Sequence, residues 1–262
     1  MINFNLIENN LEKLKDEFLN ASPFEHIVID NFCNEHDLYK AIELIPDAQN
    51  AGHNKSNDYI FAKNKFEKSD FDLICPQLAK LKSELLSKRF STWISAITNQ
   101  QIFIDPDFHG GGIHQGGQGS FLDMHADFNY HPQNRSWFRN VNILLYLNKD
   151  WKSYYAGQLK LVDGRKENGK PYLIEPIFNR AVIMFTRDYT LHGYDPINFP
   201  SGTYRTSIAA YGYTETGEVG KLRTTVWKPE KSNILKRFLG KHMPKIVSVK
   251  TRLFGSGTTK NK

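Results

Sequence analysis

Residues 113–213 alternate short runs of β-branched and aromatic residues with clusters of Gly, Pro, Asn and Asp. The runs are residues 141–151, 157–163, 180–186, 191–194 and 204–213. Short strands that follow one another with turn residues between them are typical of an all-β sandwich or barrel rather than of alternating strands and helices. The pattern therefore predicts a β-sandwich or barrel for this part of the chain.

Three potential metal ligands stand within this region, namely His125, Asp127 and His192. On a strand, residues i and i+2 point to the same side, so His125 and Asp127 face one centre. Two imidazoles and one carboxylate occupy one face of an octahedral ion and leave the opposite face open. That arrangement suits non-haem Fe(II), which must bind a co-substrate and dioxygen together. A His-x-Asp tripeptide alone is a weak signal, and the sequence around it decides its meaning.

This sequence resembles the Fe(II)/2-oxoglutarate-dependent dioxygenase superfamily, in its prolyl-4-hydroxylase-like branch. The resemblance covers residues 113–213, and the segment Tyr146-Leu147-Asn148-Lys149-Asp150-Trp151 is particularly close to the prolyl hydroxylase pattern. It implies a double-stranded β-helix, or jelly roll, with iron inside one mouth. By the same resemblance, His125, Asp127 and His192 are the iron ligands and form the catalytic centre.

The resemblance also implies how 2-oxoglutarate is held. Arg205 corresponds to the basic residue that pairs with the distal carboxylate, and Tyr146 to the tyrosine that hydrogen-bonds the same group. Arginine suits this task because its planar fork forms two parallel charge-assisted bonds. Ser207 lies on the same strand face as Arg205 and would add a donor. Tyr146 shares a face with Asn142 and Leu144. The polar groups of Tyr146 and Asn142 favour a polar cavity on this face over a purely apolar core.

Four positions are informative, because two of them depart from the pattern of the branch and two bear on other activities of the superfamily. The branch usually has Gly-Gly where this chain has Ala156-Gly157, and it often has tyrosine where this chain has Gln115, which we expect to contact the co-substrate. Superfamily halogenases lack the carboxylate ligand, so Asp127 argues against that activity. Superfamily nucleic-acid demethylases carry a second arginine at the place of Tyr211, so demethylation is disfavoured.

The resemblance implies hydroxylation of an unactivated C–H bond, on a prolyl or other amino-acid substrate, with release of succinate and CO2. The expected cofactors are Fe(II), 2-oxoglutarate and O2, with ascorbate as reductant. Two alternatives stay open: oxidative demethylation of a nucleic acid or small metabolite, and a non-catalytic metal-binding jelly-roll module. The substrate itself could be a protein residue, a free amino acid, or a sugar or lipid intermediate.

The predicted fold class is α+β, a jelly-roll core braced by N-terminal helices. Residues 1–100 are expected to support the core within the same domain, residues 101–227 to form the core, and residues 228–262 to form a basic extension with a disordered end. The predicted elements are a helix over residues 6–18, a strand over 25–32, a helix that Asn34 caps, irregular chain over 46–66 and one long helix over 71–97.

Several groups near the ligands are harder to place. Residues 110–119 are rich in glycine and predict a flap at the mouth of the site. His109, His114 and His131 are expected to support the ligands or to contact substrate. Four aromatic residues would form either a substrate wall or barrel packing; they are Phe128, Tyr130, Trp137 and Phe138.

The basic charge of the chain is concentrated at its end. Residues 228–262 carry a net charge of +9, whereas the whole chain carries +6. A contact of this extension with nucleic acid or an anionic membrane is an option, but packing on the barrel is favoured, and the oligomeric state is open. No apolar run reaches membrane-spanning length, and the first residues lack the pattern of a secretion signal. Cys33 and Cys75 suggest reduced thiols in the cytoplasm.

Overall fold

The structure, a computed structural model, describes residues 1–49, 54–55, 58, 60–166 and 169–229. The predicted extension therefore lies outside the described residues from position 230 onward. Within these ranges, two 3-10 turns occur, at Phe71–Leu73 and Ser153–Tyr155. The α-helices in the described ranges are α1 (Phe4–Asn9), α2 (Leu11–Leu19), α3 (Glu35–Ile42), α4 (Pro76–Leu85) and α5 (Lys88–Thr98).

Twelve strands occur in the same ranges. They are β1 (His26–Ile29), β2 (Asn54–Lys55), β3 (Ala62–Lys68), β4 (Phe103–Ile104), β5 (Gly112–Ala126), β6 (Trp137–Tyr146), β7 (Leu159–Asp163), β8 (Tyr172–Ile174), β9 (Arg180–Phe185), β10 (Thr190–Tyr194), β11 (Arg205–Glu215) and β12 (Val226–Trp227).

Capping side chains divide the helical part more finely than apolar spacing predicts. Residues 6–18 do not form one helix, because Asn10 ends α1 by donating from its side chain to the Leu6 carbonyl at 2.8 Å. Residues 71–97 do not form one helix either. Ser87 accepts from the backbone N–H of Phe90 at 3.2 Å and so begins α5 separately from α4. The expected cap at Asn34 is present, since its side chain accepts from the N–H of Asp37.

The strands form one curled antiparallel sheet in the order β1-β9-β6-β11-β5-β10-β7-β8, and β3 and β12 also pair with β5. The sheet curls into the half-barrel of a jelly roll, as the sequence predicts. One expectation for this region is wrong: residues 62–66, predicted to be irregular, belong to β3, which pairs with β5 along much of its length. Their polar side chains face a cavity, so the usual alternation with apolar residues is weak.

The glycine-rich run at residues 110–119 is largely strand, not the flap that was predicted. Gly112 has a φ of 94°, and a Cβ there would lie only 2.2 Å from the Lys68 carbonyl oxygen, so glycine lets β3 approach β5. Pairing with β3 is interrupted between Gly116 and Phe121, which makes a bulge in β5. The glycines thus allow β3 to pack closely against β5 and allow one bulge in β5.

Two apolar clusters fix the sheet. The first joins the N-terminal helices to the outer face of the sheet and includes Leu38, Phe90 and Ile143. The second fills the inside of the half-barrel and includes Leu161 and Val182. Each such side chain contributes about 1.5–3 kcal/mol by burial. None of the described helices combines the length and apolar character that a bilayer span needs. Both cysteines are buried and free, as predicted.

Candidate metal centre

The two histidines of the predicted triad lie directly opposite each other on β5 and β10, and Asp127 follows the end of β5. His125 Nε2 is 3.6 Å from Asp127 Oδ1, and His192 Nε2 is 3.4 Å from Asp127 Oδ2. One candidate ligand atom of each residue lies within 4.8 Å of the others. The structure thus brings together the three side chains that the sequence singles out.

The protonation of these groups suits a divalent metal ion. His125 donates from Nδ1 to the Asp123 carbonyl at 2.9 Å, which leaves the Nε2 lone pair for a ligand. Burial, assisted by the neighbouring His125, lowers the pKa of His192 to about 3, so its imidazole is neutral. Burial by itself would raise the pKa of Asp127, but Arg139 and the two histidines outweigh it and hold that pKa well below its usual range. The neutral imidazole of His192, the Nε2 atom of His125 and the carboxylate of Asp127 form a donor set that fits Fe(II).

A buried arginine that the sequence analysis missed is paired with the carboxylate of Asp127. Arg139 Nη2 lies 3.1 Å from Asp127 Oδ2, and the Asn142 amide donates to the same oxygen at 2.7 Å. The Arg139 guanidinium is also stacked between the rings of Phe128 and Tyr211, at 4.5 and 3.6 Å. Because Oδ2 is held by these two donors, Oδ1 is the oxygen left to bind a metal.

Strict alternation along β6 hides this role of Arg139. Counting back from Asn142 in steps of two gives Asn140, so Arg139 is predicted to point away from the cavity. The pairing of β6 with β11 shifts register after Val141, and Asn140 is the extra residue of this bulge. Arg139 therefore returns to the face that Asn142 occupies. The sequence offers one signal for this role, namely that Arg139 lies close to the polar residues of β6 that are predicted to face the cavity.

The triad lies in the wall of a cavity of about 280 Å³. Trp227 closes one side of it, because β12 pairs with β5 and sets Trp227 opposite His125. The indole lies 4.8 Å from the His125 ring and is stacked on Phe61 at 5.1 Å. Packing on both faces fixes the indole, and through it the orientation of the His125 ring.

Arg205 borders the same cavity, where it is 7 % exposed. Its Nε donates to the Gly157 carbonyl at 2.7 Å, and its Nη2 donates to the Tyr146 hydroxyl at 3.2 Å. Since Tyr146 accepts from Arg205, the hydroxyl hydrogen of Tyr146 remains available for another acceptor. Ser207 pairs with Tyr146 across the strands and also lines the cavity. Among the described residues, no carboxylate forms an ion pair with Arg205, so the site suits a carboxylate ligand.

The other predicted groups are divided between the cavity and the core. Gln115 pairs with Thr206 and Phe66, so its side chain lies on the face opposite to Arg205. This register does not support the expected co-substrate contact of Gln115, although the residue borders the cavity.

Of the three extra histidines, His114 lines the cavity, whereas His109 and His131 lie against each other beside Asp105. Of the four aromatic residues, Phe128 lines the cavity. The others pack on neighbouring rings, as in the pair of Tyr130 and Phe138.

Comparison with known proteins agrees with this geometry. Residues 111–213 match the sequence model of the 2OG-Fe(II) oxygenase superfamily. No curated protein matches the chain. A prolyl hydroxylase from Trichoplax adhaerens, solved in complex with a hypoxia inducible factor oxygen degradation domain peptide fragment, is 20% identical with a TM-score of 0.59, covering 82% of this chain and 93% of that chain.

Two further solved structures share the fold. A Pseudomonas putida prolyl-4-hydroxylase is 17% identical with a TM-score of 0.55, covering 78% of this chain and 98% of that one. A prolyl 4-hydroxylase from Phytophthora capsici is 18% identical with a TM-score of 0.54, covering 81% and 65%. Residues 111–213 therefore form a domain of the 2OG-Fe(II) oxygenase superfamily with the fold of its prolyl-4-hydroxylase-like branch, and the chain is an oxidoreductase of the dioxygenase type.

Proposed function

We propose that this dioxygenase is a hydroxylase that acts on an unactivated C–H bond of an amino-acid substrate, prolyl or other. The observation that carries the proposal is that one cavity contains both a His/Asp/His donor set and a buried arginine, Arg205, that has no carboxylate partner among the described residues. The donor set suits Fe(II), and the arginine suits the distal carboxylate of 2-oxoglutarate.

Each side chain then has a defined task. His125, His192 and Oδ1 of Asp127 would hold the metal, and Arg205 with Tyr146 would hold the distal carboxylate of the co-substrate. When bound, Fe(II) and 2-oxoglutarate supply the oxidising chemistry with dioxygen, whose two oxygen atoms end in the substrate hydroxyl and in succinate, with release of CO2. Ascorbate is proposed as the external reductant that keeps the metal ferrous.

The remaining lining groups control charge and water. Arg139 and Asn142 keep Asp127 anionic and fix its orientation. Apolar side chains on the same cavity, Leu144 and Leu159 among them, limit the water that reaches the reacting atoms. Tyr211, at the place of the second arginine of nucleic-acid demethylases, donates to the Gly110 carbonyl and packs on Arg139. Such a wall residue favours hydroxylation over demethylation of nucleic acids.

Two further points concern partners and location. A contact between the basic extension and nucleic acid or an anionic membrane is not favoured, and the residues concerned lie outside the described part of the chain. A cytoplasmic location rests on the two free cysteines alone.

Succinate formation from 2-oxoglutarate tests the proposal directly. The protein with Fe(II), ascorbate and dioxygen should convert 2-oxoglutarate to succinate, and a true substrate should raise the rate and gain about 16 Da, the mass of one oxygen atom. The His192→Ala variant is the matched control, because two remaining ligands hold a labile ion poorly. A protein with full iron occupancy and no succinate formation would instead be a non-catalytic metal-binding module.

A further inference from the structure

Lys65 and Glu67 form a charged pair in the wall of the metal cavity. They lie on one face of β3, with Lys65 Nζ 2.7 Å from Glu67 Oε1, and their side chains are 21% and 25% exposed. Both line the cavity that contains the triad. Gly116 of β5 pairs with Lys65 on one side and with Arg205 on the other. The Lys65–Glu67 pair therefore faces the same cavity as Arg205, and Gly116 lies between Lys65 and Arg205.

Neither Lys65 nor Glu67 has a role in the proposed reaction. Asp127 and Arg139 are paired with each other, and Arg205 is assigned to the co-substrate. Two of the lining histidines are assigned to the metal. The third, His114, is held neutral, because burial and the nearby Lys65 lower its pKa to about 3. Among the described residues of the lining, Lys65 and Glu67 are the charged groups that neither metal nor co-substrate uses.

We propose that Lys65 and Glu67 bind the α-carboxylate and the α-ammonium group of a free amino acid. The proposal rests on the hydroxylase function above and names its substrate class. A ligand with one charge would draw one member of the pair away from the other and leave that other member uncompensated in a partly buried cavity, which is costly. An internal residue of a peptide has neither charge and would desolvate both. A zwitterion carries an ammonium and a carboxylate group on the same carbon, which matches two oppositely charged groups 2.7 Å apart.

The size and the other walls of the cavity agree with a small substrate. Its volume of about 280 Å³ lies just below the range of about 300–1,000 Å³ for drug-sized ligands, and 2-oxoglutarate must share it. Leu122, Phe128 and Leu144 line the same space and would contact an aliphatic side chain. In the reaction, the C–H bond becomes C–OH with one oxygen atom of dioxygen, while 2-oxoglutarate and the other atom give succinate and CO2.

The first test compares free and capped amino acids on the wild-type enzyme with Fe(II), 2-oxoglutarate and ascorbate. Each free L-amino acid and its N-acetyl amide is added, and succinate and product mass are measured. At least one free amino acid should raise succinate formation and gain one oxygen atom, and its capped form should be at least about tenfold less effective.

Two results overturn the substrate class while the hydroxylase function stands. One is a capped form as effective as the free form. The other is no stimulation by any amino acid while substrate-free succinate formation persists. A complete lack of 2-oxoglutarate binding and turnover overturns both proposals together.

The second test uses variants of the pair. Glu67→Gln and Lys65→Met should each raise KM for the amino acid about tenfold or more, and raise KM for 2-oxoglutarate much less. Lys63→Met is the matched control, because Lys63 is exposed on the same strand, and it should leave both constants unchanged. A Lys65→Met enzyme whose KM rises chiefly for 2-oxoglutarate would show that Lys65 anchors the co-substrate, and the proposal would be wrong.

Discussion

The guanidinium of Arg139 lies 3.1 Å from the carboxylate of Asp127, so one predicted metal ligand is itself paired with a buried cation. The pair explains how a carboxylate inside the half-barrel stays ionised without metal, because the cation offsets the desolvation that would otherwise protonate it. It also orients the ligand oxygen that faces the two histidines.

We expect Arg139→Met to weaken Fe(II) binding about 10–100-fold and to destabilise the fold by about 3–5 kcal/mol, since it leaves a buried carboxylate unpaired. Anaerobic Fe(II) titration and thermal melting measure the two effects. Arg165→Met is the control, because it removes the partner of another buried carboxylate, Asp163, which does not line the metal cavity, and it should keep wild-type metal affinity. An Arg139→Met variant with wild-type Fe(II) affinity would show that the Arg139–Asp127 pair does not affect metal binding by Asp127.

Arg205→Ala should raise KM for 2-oxoglutarate by orders of magnitude while iron binding stays nearly intact. A buried carboxylate that loses its charged partner costs about 3–5 kcal/mol. Arg205→Lys should be intermediate, because the fork becomes a point charge. Steady-state kinetics with varied 2-oxoglutarate measures the effect, and an unchanged KM in the alanine variant would move the co-substrate anchor elsewhere.

The metal ligands and Arg205 could be found from sequence because short motifs on regular strands carry them. His125 and Asp127 obey the period of two, and Arg205 begins a strand that the apolar pattern marks clearly. Lys65 and Glu67 could not be found in this way. They lie on a strand whose polar side chains face a cavity, so its pattern resembles that of a loop.

The fine division of the helices depends on single side-chain hydrogen bonds. Apolar spacing continues through Asn10 and through Ser87, so it predicts two long helices. The hydrogen bonds of Asn10 and Ser87 end one helix and begin the next, and apolar spacing carries no information about them. The bulge at Asn140 likewise cannot be read from the sequence, because only the pairing of β6 with β11 reveals it.

Stability of the metal-free protein should fall as the pH is lowered from about 6.5 toward 3, in part because of His114. Its pKa is lowered from 6.5 to about 3, chiefly by burial, so between these values the unfolded chain binds a proton that the folded state does not. One such group steepens the decline by up to about 1.4 kcal/mol per pH unit.

The variant His114→Gln should therefore show a flatter decline of unfolding free energy with falling pH, measured by denaturant titration at several pH values. His36→Gln, at an exposed position on α3, is the control and should follow the wild type. An identical slope in the His114 variant would show that this imidazole is protonated in the folded state.

Ala156→Gly should stabilise the protein by about 1 kcal/mol. Ala156 has a φ of 57° and a ψ of −157°, a conformation in which a side chain costs about 1–3 kcal/mol, and glycine recovers most of it against its greater freedom when unfolded. The melting temperature should rise by about 2–4 °C. Ala79→Gly, inside α4, should lower it instead. A lower melting temperature for Ala156→Gly would mean that the loop relaxes around the methyl group.

In the proposed function, the triad and Arg205 together hold Fe(II) and 2-oxoglutarate in one cavity. Anaerobic titration of the wild-type protein with Fe(II) and then 2-oxoglutarate tests it most directly, because a keto acid chelated to ferrous iron gives a visible charge-transfer band. The wild type should develop this band. Asp127→Gly should give a weaker or shifted band that responds to chloride, since a coordination position is opened beside the two histidines. A wild-type protein with full iron occupancy and no such band would show that 2-oxoglutarate does not chelate iron in this cavity.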